Sequence, residues 1–209
     1  MKLFKRDRKD HWERVYQKLL PDEVGWYQAY PERSLQLIND TSIGTDGRII
    51  DVGGGTSSLT RHLLDKGYRN LTVLDISGNS IEKAKLQLGE KSSNVNWVEA
   101  DITSYEFKEK YDVWHDRAVF HFLTKTEDRK KYKNALNQAL NLNGNLIIAT
   151  FSLDAPPKCS RLPVARYSPE TLKKELGQNF KPVETYEEEH VTPLGVSQGF
   201  IYCRFVRYL

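Results

Sequence analysis

The stretch Asp51–Ser57, Asp-Val-Gly-Gly-Gly-Thr-Ser, decides the fold of this chain. It ends the apolar run Arg48–Val52, which has the length and composition of a buried strand, and a helical pattern opens at Ser57 and Ser58. Three consecutive glycines let the backbone turn sharply and let a ligand approach without meeting a Cβ atom. In open α/β sheets, nucleotide-like ligands bind where the first strand ends. The stretch therefore predicts a strand, a ligand-binding turn and a helix.

Strand-like and helix-like segments alternate downstream of this stretch. Four more strand-like runs follow, at Leu71–Leu74, Val95–Val98, Tyr111–Trp114 and Asn145–Phe151. The helical patterns between them end at glycine-containing stop signals, from Ser57/Ser58 to Gly67, from Ser80 to Gly89, and over Arg129–Leu142 before Asn143-Gly144. This alternation is typical of a mostly parallel sheet with helices on both faces.

The two ends of the chain differ from this middle part. Residues 11–40 have no strand pattern, and Trp12, Tyr16 and Leu19 predict an amphipathic helix before the aromatic pair Trp26-Tyr27. Ser168-Pro169 predicts a helix that starts there and runs through Leu176. The runs Pro182–Val191 and Gly199–Tyr208 have no helix between them, which predicts an antiparallel hairpin. We expect a single domain, 1–209, with an N-terminal helical cap (1–44), a ligand-binding core (45–155) and a C-terminal helix and hairpin (156–209).

Composition excludes several classes of protein. Of 209 residues, 39% are hydrophobic, enough for a packed core, and the net charge of +3 is too even to demand nucleic acid as a partner. Cys159 and Cys203 are the two cysteines, which excludes a disulfide framework and a Cys-rich zinc site. We expect no metal, no signal peptide and no membrane span, and hence a cytoplasmic protein.

Carboxylates at three predicted strand ends indicate the ligand. A dinucleotide G-x-G-x-x-G pattern would need glycine where the chain has Ser58. Asp51 beside the glycines suits a cationic group such as an ammonium. Asp75 is placed to accept hydrogen bonds from ribose hydroxyls, and Asp101 to accept one from an amino group on a base. A nucleoside with a positively charged amino acid tail satisfies all three, and S-adenosyl-L-methionine is that ligand.

These motifs, in this order, resemble those of the class I, seven-strand S-adenosylmethionine-dependent methyltransferases. The acidic-x-G-x-G-x-G motif of that family matches Asp51, Gly53 and Gly55, with Ser57 at the last glycine position. The resemblance implies an α/β, Rossmann-like sheet of strand order 3-2-1-4-5-7-6, with strand 7 antiparallel and S-adenosylmethionine as cofactor. The cofactor-binding residues that we expect are Trp12, Asp51, Gly53, Gly54, Gly55, Asp75, Ile76, Asp101, Ile102 and Asp116.

The exit of the fourth strand lies beside the reactive sulfonium in this family. Asp116-Arg117 before apolar residues is similar to thiol- and thiopurine-type methyltransferases, and His11–Tyr16 is similar to a segment of seven-strand protein lysine methyltransferases. The Pro-Pro-aromatic motif of nucleic-acid amino methyltransferases is absent from this exit. We expect the catalytic residues to be Asp116, His121 and Tyr27.

Each of these side chains also has a purely structural interpretation. His121 is a general base or a half-buried helix-start histidine. Trp26 and Tyr27 form an aromatic lid over the sulfonium or a hydrophobic latch for the N-terminal helix. His115 is interpreted as a packing or backbone-bonded residue rather than a catalyst.

The sequence thus predicts a methyltransferase that acts on a small molecule, such as a thiol or another soft nucleophile, with a protein lysine as the alternative acceptor. Two rival hypotheses are a non-catalytic S-adenosylmethionine-binding partner subunit and a nicotinamide-dependent oxidoreductase. The intact acidic strand ends argue against the first, and Ser58 with the terminal hairpin argues against the second. We expect neither nucleic acid nor a membrane as a partner, and the sequence does not indicate an oligomeric state.

Overall fold

A seven-stranded sheet organises the chain in the structure, a computed structural model that describes residues 2–209 and the side chains of residues 8–209. The strands are β1 (Arg48–Val52), β2 (Asn70–Asp75), β3 (Val95–Glu99), β4 (Tyr111–Arg117), β5 (Leu140–Phe151), β6 (Phe180–Val191) and β7 (Ser197–Arg207). Their order is β3-β2-β1-β4-β5-β7-β6. The first five strands are parallel, and β7 is antiparallel to both β5 and β6. The predicted Rossmann-like fold with a C-terminal antiparallel hairpin is confirmed.

Six α-helices surround the sheet in the described part of the chain. They are α1 (Lys2–Lys18), α2 (Glu32–Asn39), α3 (Leu59–Asp65), α4 (Gly78–Leu88), α5 (Thr126–Ala139) and α6 (Pro169–Leu176). Short 3-10 turns cover Gly89–Asn94 and Phe120–Phe122, and a two-residue hairpin pairs Lys158–Cys159 with Leu162–Pro163. Within residues 2–209, none of the helices is both long and apolar enough to cross a bilayer.

The sheet separates two hydrophobic cores. Ile50 and Trp114 belong to the core that contains residues of α5 and α6, while Ile49 and Val113 belong to the core that contains residues of α2 and α3. Successive side chains of a strand point to opposite faces, so strands covered on both faces are apolar throughout. This is why the central strands read as continuous hydrophobic runs.

Two helix boundaries differ from the prediction. Helix α4 is capped by Ser77, whose Oγ accepts a hydrogen bond from the backbone N–H of Ser80 at 3.2 Å, so Ser80 is not the cap. Helix α5 begins at Thr126 and ends at Ala139, because the fully buried Leu140 already belongs to β5. The Asn143-Gly144 pair lies inside β5, where the register against β4 shifts, and is not a helix stop. Helix α6 has its predicted bounds.

The side chain of Glu13 fastens helix α1 across the carboxyl edge of the sheet. The Glu13 carboxylate accepts hydrogen bonds from Ser77 Oγ at 2.9 Å, from Gly78 N at 2.8 Å and from Asn79 N at 3.1 Å. These donors lie at the start of α4, directly after β2. Glu13 therefore holds α1 over the carboxyl ends of the strands, where the helix covers this edge of the sheet.

Candidate functional site

A cleft opens at the carboxyl edge of the sheet, beyond the ends of β1 to β4. Its floor and walls come from the strand exits, at Gly53, Asp75, Ile76, Asp101, Ile102, Arg117, Ala118 and Val119. Its cover comes from α1 and the segments around it, at Arg8, Trp12, Tyr16, Trp26 and Phe122. The ring centroid of Trp12 lies 5.5 Å from that of Trp26 and 5.0 Å from that of Phe122, so these three rings form one packed cover.

The glycine turn has a conformation that requires glycine at its first position. Gly53 has a φ of +72°, and its N–H donates to the carbonyl oxygen of Leu74 at 2.6 Å. A Cβ atom at Gly53 would lie 2.1 Å from Cγ2 of Val119. Any side chain here would therefore be strained and would clash with the exit of β4. The turn brings backbone, rather than side chains, to the cleft.

Asp75 ends β2 and lines the cleft as a buried carboxylate. Its Oδ1 accepts from the N–H of Ser77 at 2.8 Å, and its Oδ2 accepts from the N–H of Gly55 at 3.1 Å. Burial raises the pKa of Asp75 to about 6, although these hydrogen bonds act in the opposite direction. The carboxylate is fixed in place and still has lone pairs for a ligand hydroxyl.

Asp101 presents an unsatisfied acceptor. Its Oδ1 accepts from the N–H of Thr103 at 2.8 Å and from Oγ1 of Thr103 at 2.7 Å, while its buried Oδ2 has no hydrogen-bond partner among the described residues. Arg8 lies 3.7 Å from Oδ1 and donates to Asp128 at 2.7 Å. A buried carboxylate oxygen without a donor is costly, so this wall of the cleft is suited to a ligand N–H.

A smaller cavity adjoins the cleft on the other side of the glycine turn. Asp51, Gly54, Tyr27 and Arg117 are among the residues that line it. Asp51 Oδ1 is 2.7 Å from Nδ1 of His115, whose Nε2 is 2.9 Å from Oγ of Ser34. Asp51 Oδ2 is buried and has no hydrogen-bond partner among residues 8–209. His115 is thus buried, as expected of a packing residue, and it is bonded to two side chains rather than to backbone.

Asp116 and His121 do not line either cavity. Asp116 is fully buried and accepts from Tyr132 Oη at 2.6 Å and from the N–H groups of Val119 and Phe120, at 2.9 and 3.3 Å. Burial raises the pKa of Asp116 to about 6. Asp116 therefore points away from both cavities, in which a donor or acceptor was expected to meet it. The physical reason is that β4 runs on to Arg117, and the alternation of side chains turns Asp116 toward α5.

His121 is also fully buried. Its ring lies edge-on against Phe122 and Phe151, and its Nδ1 accepts from the N–H of Phe151 at 3.3 Å. Burial lowers the pKa of His121 to about 3, so the ring is neutral at physiological pH. The geometry favours the structural interpretation of His121 over the general base.

Of the other expected residues, Trp12, Gly53, Asp75, Ile76, Asp101 and Ile102 meet at the large cleft, and Tyr27, Asp51, Gly53 and Gly54 meet at the smaller cavity. Gly55 lies behind Asp75, where a Cβ atom would come within 2.6 Å of Oδ2 of Asp75. Arg117, Arg8 and Glu13 were not expected from the sequence as functional residues. Arg117 follows Asp116 directly, and the correct end of β4 would have shown which of the two faces the cleft.

The residues described contain no group of three or more His, Cys, Asp or Glu that could hold a metal ion.

Comparisons with known proteins agree with this geometry. A family model described as a methyltransferase domain matches residues 49–144. The malonyl-[acyl-carrier protein] O-methyltransferase of Anoxybacillus flavithermus is 36% identical over 104 residues, which cover 49% of this chain and 38% of that protein. The eEF1A lysine and N-terminal methyltransferase of Danio rerio is 28% identical over 120 residues, 57% of this chain and 17% of that protein. The chain thus spans well under two thirds of these curated relatives.

Solved structures extend the likeness to almost the whole chain. The Burkholderia thailandensis 1,6-didemethyltoxoflavin-N1-methyltransferase, crystallised with 1,6-didemethyltoxoflavin and S-adenosylhomocysteine, matches with a TM-score of 0.73 and 16% identity, covering 99% of this chain and 88% of that one. At this identity the match shows the fold alone. An antiparallel strand inserted beside β5, a glycine turn after β1 and a methyltransferase domain over the core agree on one assignment. Residues 49–144 thus match a methyltransferase domain, and the chain has the fold of the class I, seven-strand S-adenosylmethionine-dependent methyltransferases, whose cofactor is S-adenosylmethionine.

Proposed function

We propose that this chain transfers the methyl group of S-adenosylmethionine to a small molecule whose reacting atom needs no protein base. The observation that carries the proposal is the chemistry of the cleft. It offers fixed acceptors for a nucleoside at the ends of β2 and β3, and among residues 8–209 no His, Lys or Cys lies under its aromatic cover. A thiolate or a carboxylate is an acceptor of this kind.

The residues of the cleft fit the cofactor. The free Oδ2 of Asp101 would accept a hydrogen bond from the amino group of adenine, and Ile76 and Ile102 would pack against the faces of the base. The lone pairs of Asp75 would accept hydrogen bonds from the ribose hydroxyls. The free Oδ2 of Asp51 in the adjoining cavity suits the ammonium of the amino acid tail. Gly53 lets that tail pass close to the backbone.

When bound, S-adenosylmethionine supplies an electrophilic methyl group on a positively charged sulfur. The chain's own contribution is alignment and exclusion of water. Trp12, Trp26 and Phe122 cover the strand ends as packed rings, which displaces solvent from the reaction site. Aromatic faces also attract a cation held above them.

The cleft provides no evident general base. Among the residues with described side chains, 8–209, no His, Lys or Cys lines the large cleft. Burial raises the pKa of the Tyr16 phenol well above its usual value, and His115 in the adjoining cavity is held between Asp51 and Ser34. Acceptors that are already ionised near pH 7, or are easily ionised, therefore fit best, as carboxylates and thiols are.

A protein lysine is the second candidate, because one relative is an eEF1A lysine and N-terminal methyltransferase. A lysine ammonium has a pKa of about 10.4 and must lose its proton before it can accept a methyl group. Without a base in the cleft this step is disfavoured. The malonyl-[acyl-carrier protein] O-methyltransferase relative acts on oxygen, which agrees better with the proposed chemistry.

The test is a screen with donor labelled in its methyl group. The acceptors are thiols, carboxylic acids, amines and a whole-cell protein extract, and calorimetry with S-adenosylmethionine and NADH runs in parallel. We expect label in a thiol or an acid. Label confined to protein lysines would support the second candidate, and NADH binding without donor binding would overturn the assignment. Tight donor binding with no transfer to any acceptor would instead support a non-catalytic partner subunit.

A further inference from the structure

Arg117 occupies the boundary between the large cleft and the adjoining cavity and lines both of them. It is the last residue of β4, and the next residue, Ala118, has a φ of +70°. The chain therefore turns away sharply just after Arg117. Its side chain extends on the face of the sheet opposite to Asp116, toward Trp26 and the C-terminal hairpin.

The guanidinium of Arg117 is held rigidly. Its Nε donates to Tyr202 Oη at 2.7 Å, and its Nη1 donates to the carbonyl oxygen of Trp26 at 2.9 Å. Its Cζ lies 4.6 Å from the ring centroid of Phe200, within the range of a cation–π contact. Tyr202 Oη in turn donates to Glu188 at 3.0 Å, which fixes the tyrosine.

One nitrogen of this guanidinium remains unused. Nη2 of Arg117 is buried and has no hydrogen-bond partner, and no carboxylate among residues 8–209 lies within ion-pair distance of Arg117. The other arginine of the cleft, Arg8, is paired with Asp128 at 2.7 Å. A buried N–H donor without an acceptor is costly, and a fixed guanidinium nitrogen is suited to a carboxylate oxygen. Arg117 is thus a preorganised site for an anion.

We propose that Arg117 binds a carboxylate carried by the methyl acceptor, so that the acceptor is a small organic acid. This inference rests on the methyl transfer proposed above and adds the class of substrate. The donor also has a carboxylate, in its amino acid tail, and Arg117 also lines the cavity that suits this tail.

The neighbours of Arg117 assign it to the acceptor rather than to the donor. The part of the chain that matches the methyltransferase domain is 49–144, and the donor is common to that family. The groups that fix the Arg117 side chain are Trp26, Phe200 and Tyr202, with Glu188 behind them, and all lie outside this part. A charge that is positioned by residues outside the matched domain is suited to select the acceptor. The hydroxyls of Thr56 and Ser57 remain in the adjoining cavity as partners for the donor tail.

The test measures binding and needs no turnover. Protein saturated with S-adenosylhomocysteine is titrated with acids of two to six carbons, including 3-mercaptopropionate, and with the primary amide of each, while tryptophan fluorescence and calorimetry report binding near Trp12 and Trp26. We expect at least one acid to bind at least about tenfold more tightly than its amide. Arg117→Gln should remove this preference. Arg69→Gln should keep it, since Arg69 is 76% exposed and pairs with Asp46 at the opposite edge of the sheet.

A second pair of titrations identifies the source of the carboxylate. S-adenosylhomocysteine contains the amino acid tail, and 5′-methylthioadenosine lacks it. We expect Arg117→Gln to change neither affinity more than about threefold, which also shows that the variant is folded. A loss of at least about tenfold for S-adenosylhomocysteine alone would assign Arg117 to the donor tail and overturn the proposal.

Equal binding of every acid and its amide to the unaltered protein would also overturn the proposal. If Arg117→Gln does not fold, Arg117→Lys takes its place. Lysine keeps the charge but loses the planar fork, and we expect a smaller acid preference than in the unaltered protein. An unchanged preference would count against Arg117. These readouts are binding constants, so they test carboxylate binding by Arg117 independently of whether the acceptor screen detects methyl transfer.

Discussion

Replacing Asp75 by asparagine is expected to weaken binding of S-adenosylhomocysteine about 10- to 150-fold at pH 7.5. The side chain is 5% exposed and is fixed by the N–H groups of Gly55 and Ser77, so it cannot move away to be replaced by water. A hydrogen bond to a charged acceptor contributes about 1.5–3 kcal/mol, and about 1.4 kcal/mol corresponds to a factor of ten. The range follows from the loss of one such bond to a ribose hydroxyl.

The pH dependence of this affinity is the sharper measurement. Burial raises the pKa of Asp75 to about 6 in the free protein, and donor binding favours the carboxylate. As pH falls through 6 the carboxyl becomes protonated, so the dissociation constant should rise by up to about tenfold per pH unit. Calorimetry from pH 5 to 8 should show this slope for the unaltered protein and a flat profile for Asp75→Asn.

Asp116→Asn is the matched control. Asp116 is also a buried carboxyl with a pKa raised to about 6, but it lines neither cavity. The slope below pH 6 should therefore survive in Asp116→Asn. An equal slope in Asp75→Asn, or a flat profile in the unaltered protein, would refute the assignment of the ribose to Asp75.

Three further predictions concern the glycine turn at Gly53, the buried His121 and the attachment of helix α1. Gly53→Ala should lower the free energy of unfolding by at least about 1 kcal/mol and weaken donor binding, because the alanine would have a φ of +72° and its Cβ would clash with Val119. An unchanged free energy of unfolding in urea would contradict this prediction. His121→Phe should leave the pH–rate profile near neutral pH unchanged, since His121 is buried and its ring is neutral. If the variant loses a titration near pH 6.5, His121 acts as a general base after all. Glu13→Gln should weaken S-adenosylhomocysteine binding and speed amide exchange in α1, because three donors at the start of α4 lose their charged acceptor; unchanged exchange would show that α1 is held elsewhere.

The sheet could be read from the sequence because its signals are local. The apolar strands, the glycine turn at Gly53 and the helix cap at Ser168 each depend on a few neighbouring residues. Asp75 and Asp101 follow from the same logic, since the carboxyl ends of adjacent parallel strands meet at one edge. The Asn143-Gly144 pair misled the prediction because the same two residues suit a helix end and an irregular strand.

The tertiary structure alone decided which side chains reach the cleft. A shift of one residue in the end of β4 exchanges Asp116 for Arg117, because successive side chains of a strand point to opposite faces. Trp26 and Tyr202 fix the Arg117 guanidinium and leave its Nη2 free, and they are 91 and 85 residues away along the chain. Glu13 likewise acts on donors at the start of α4 that no local pattern connects with α1. Sequence periodicity determines which faces are apolar, whereas burial and pairing of charges depend on contacts that exist only after the chain has folded.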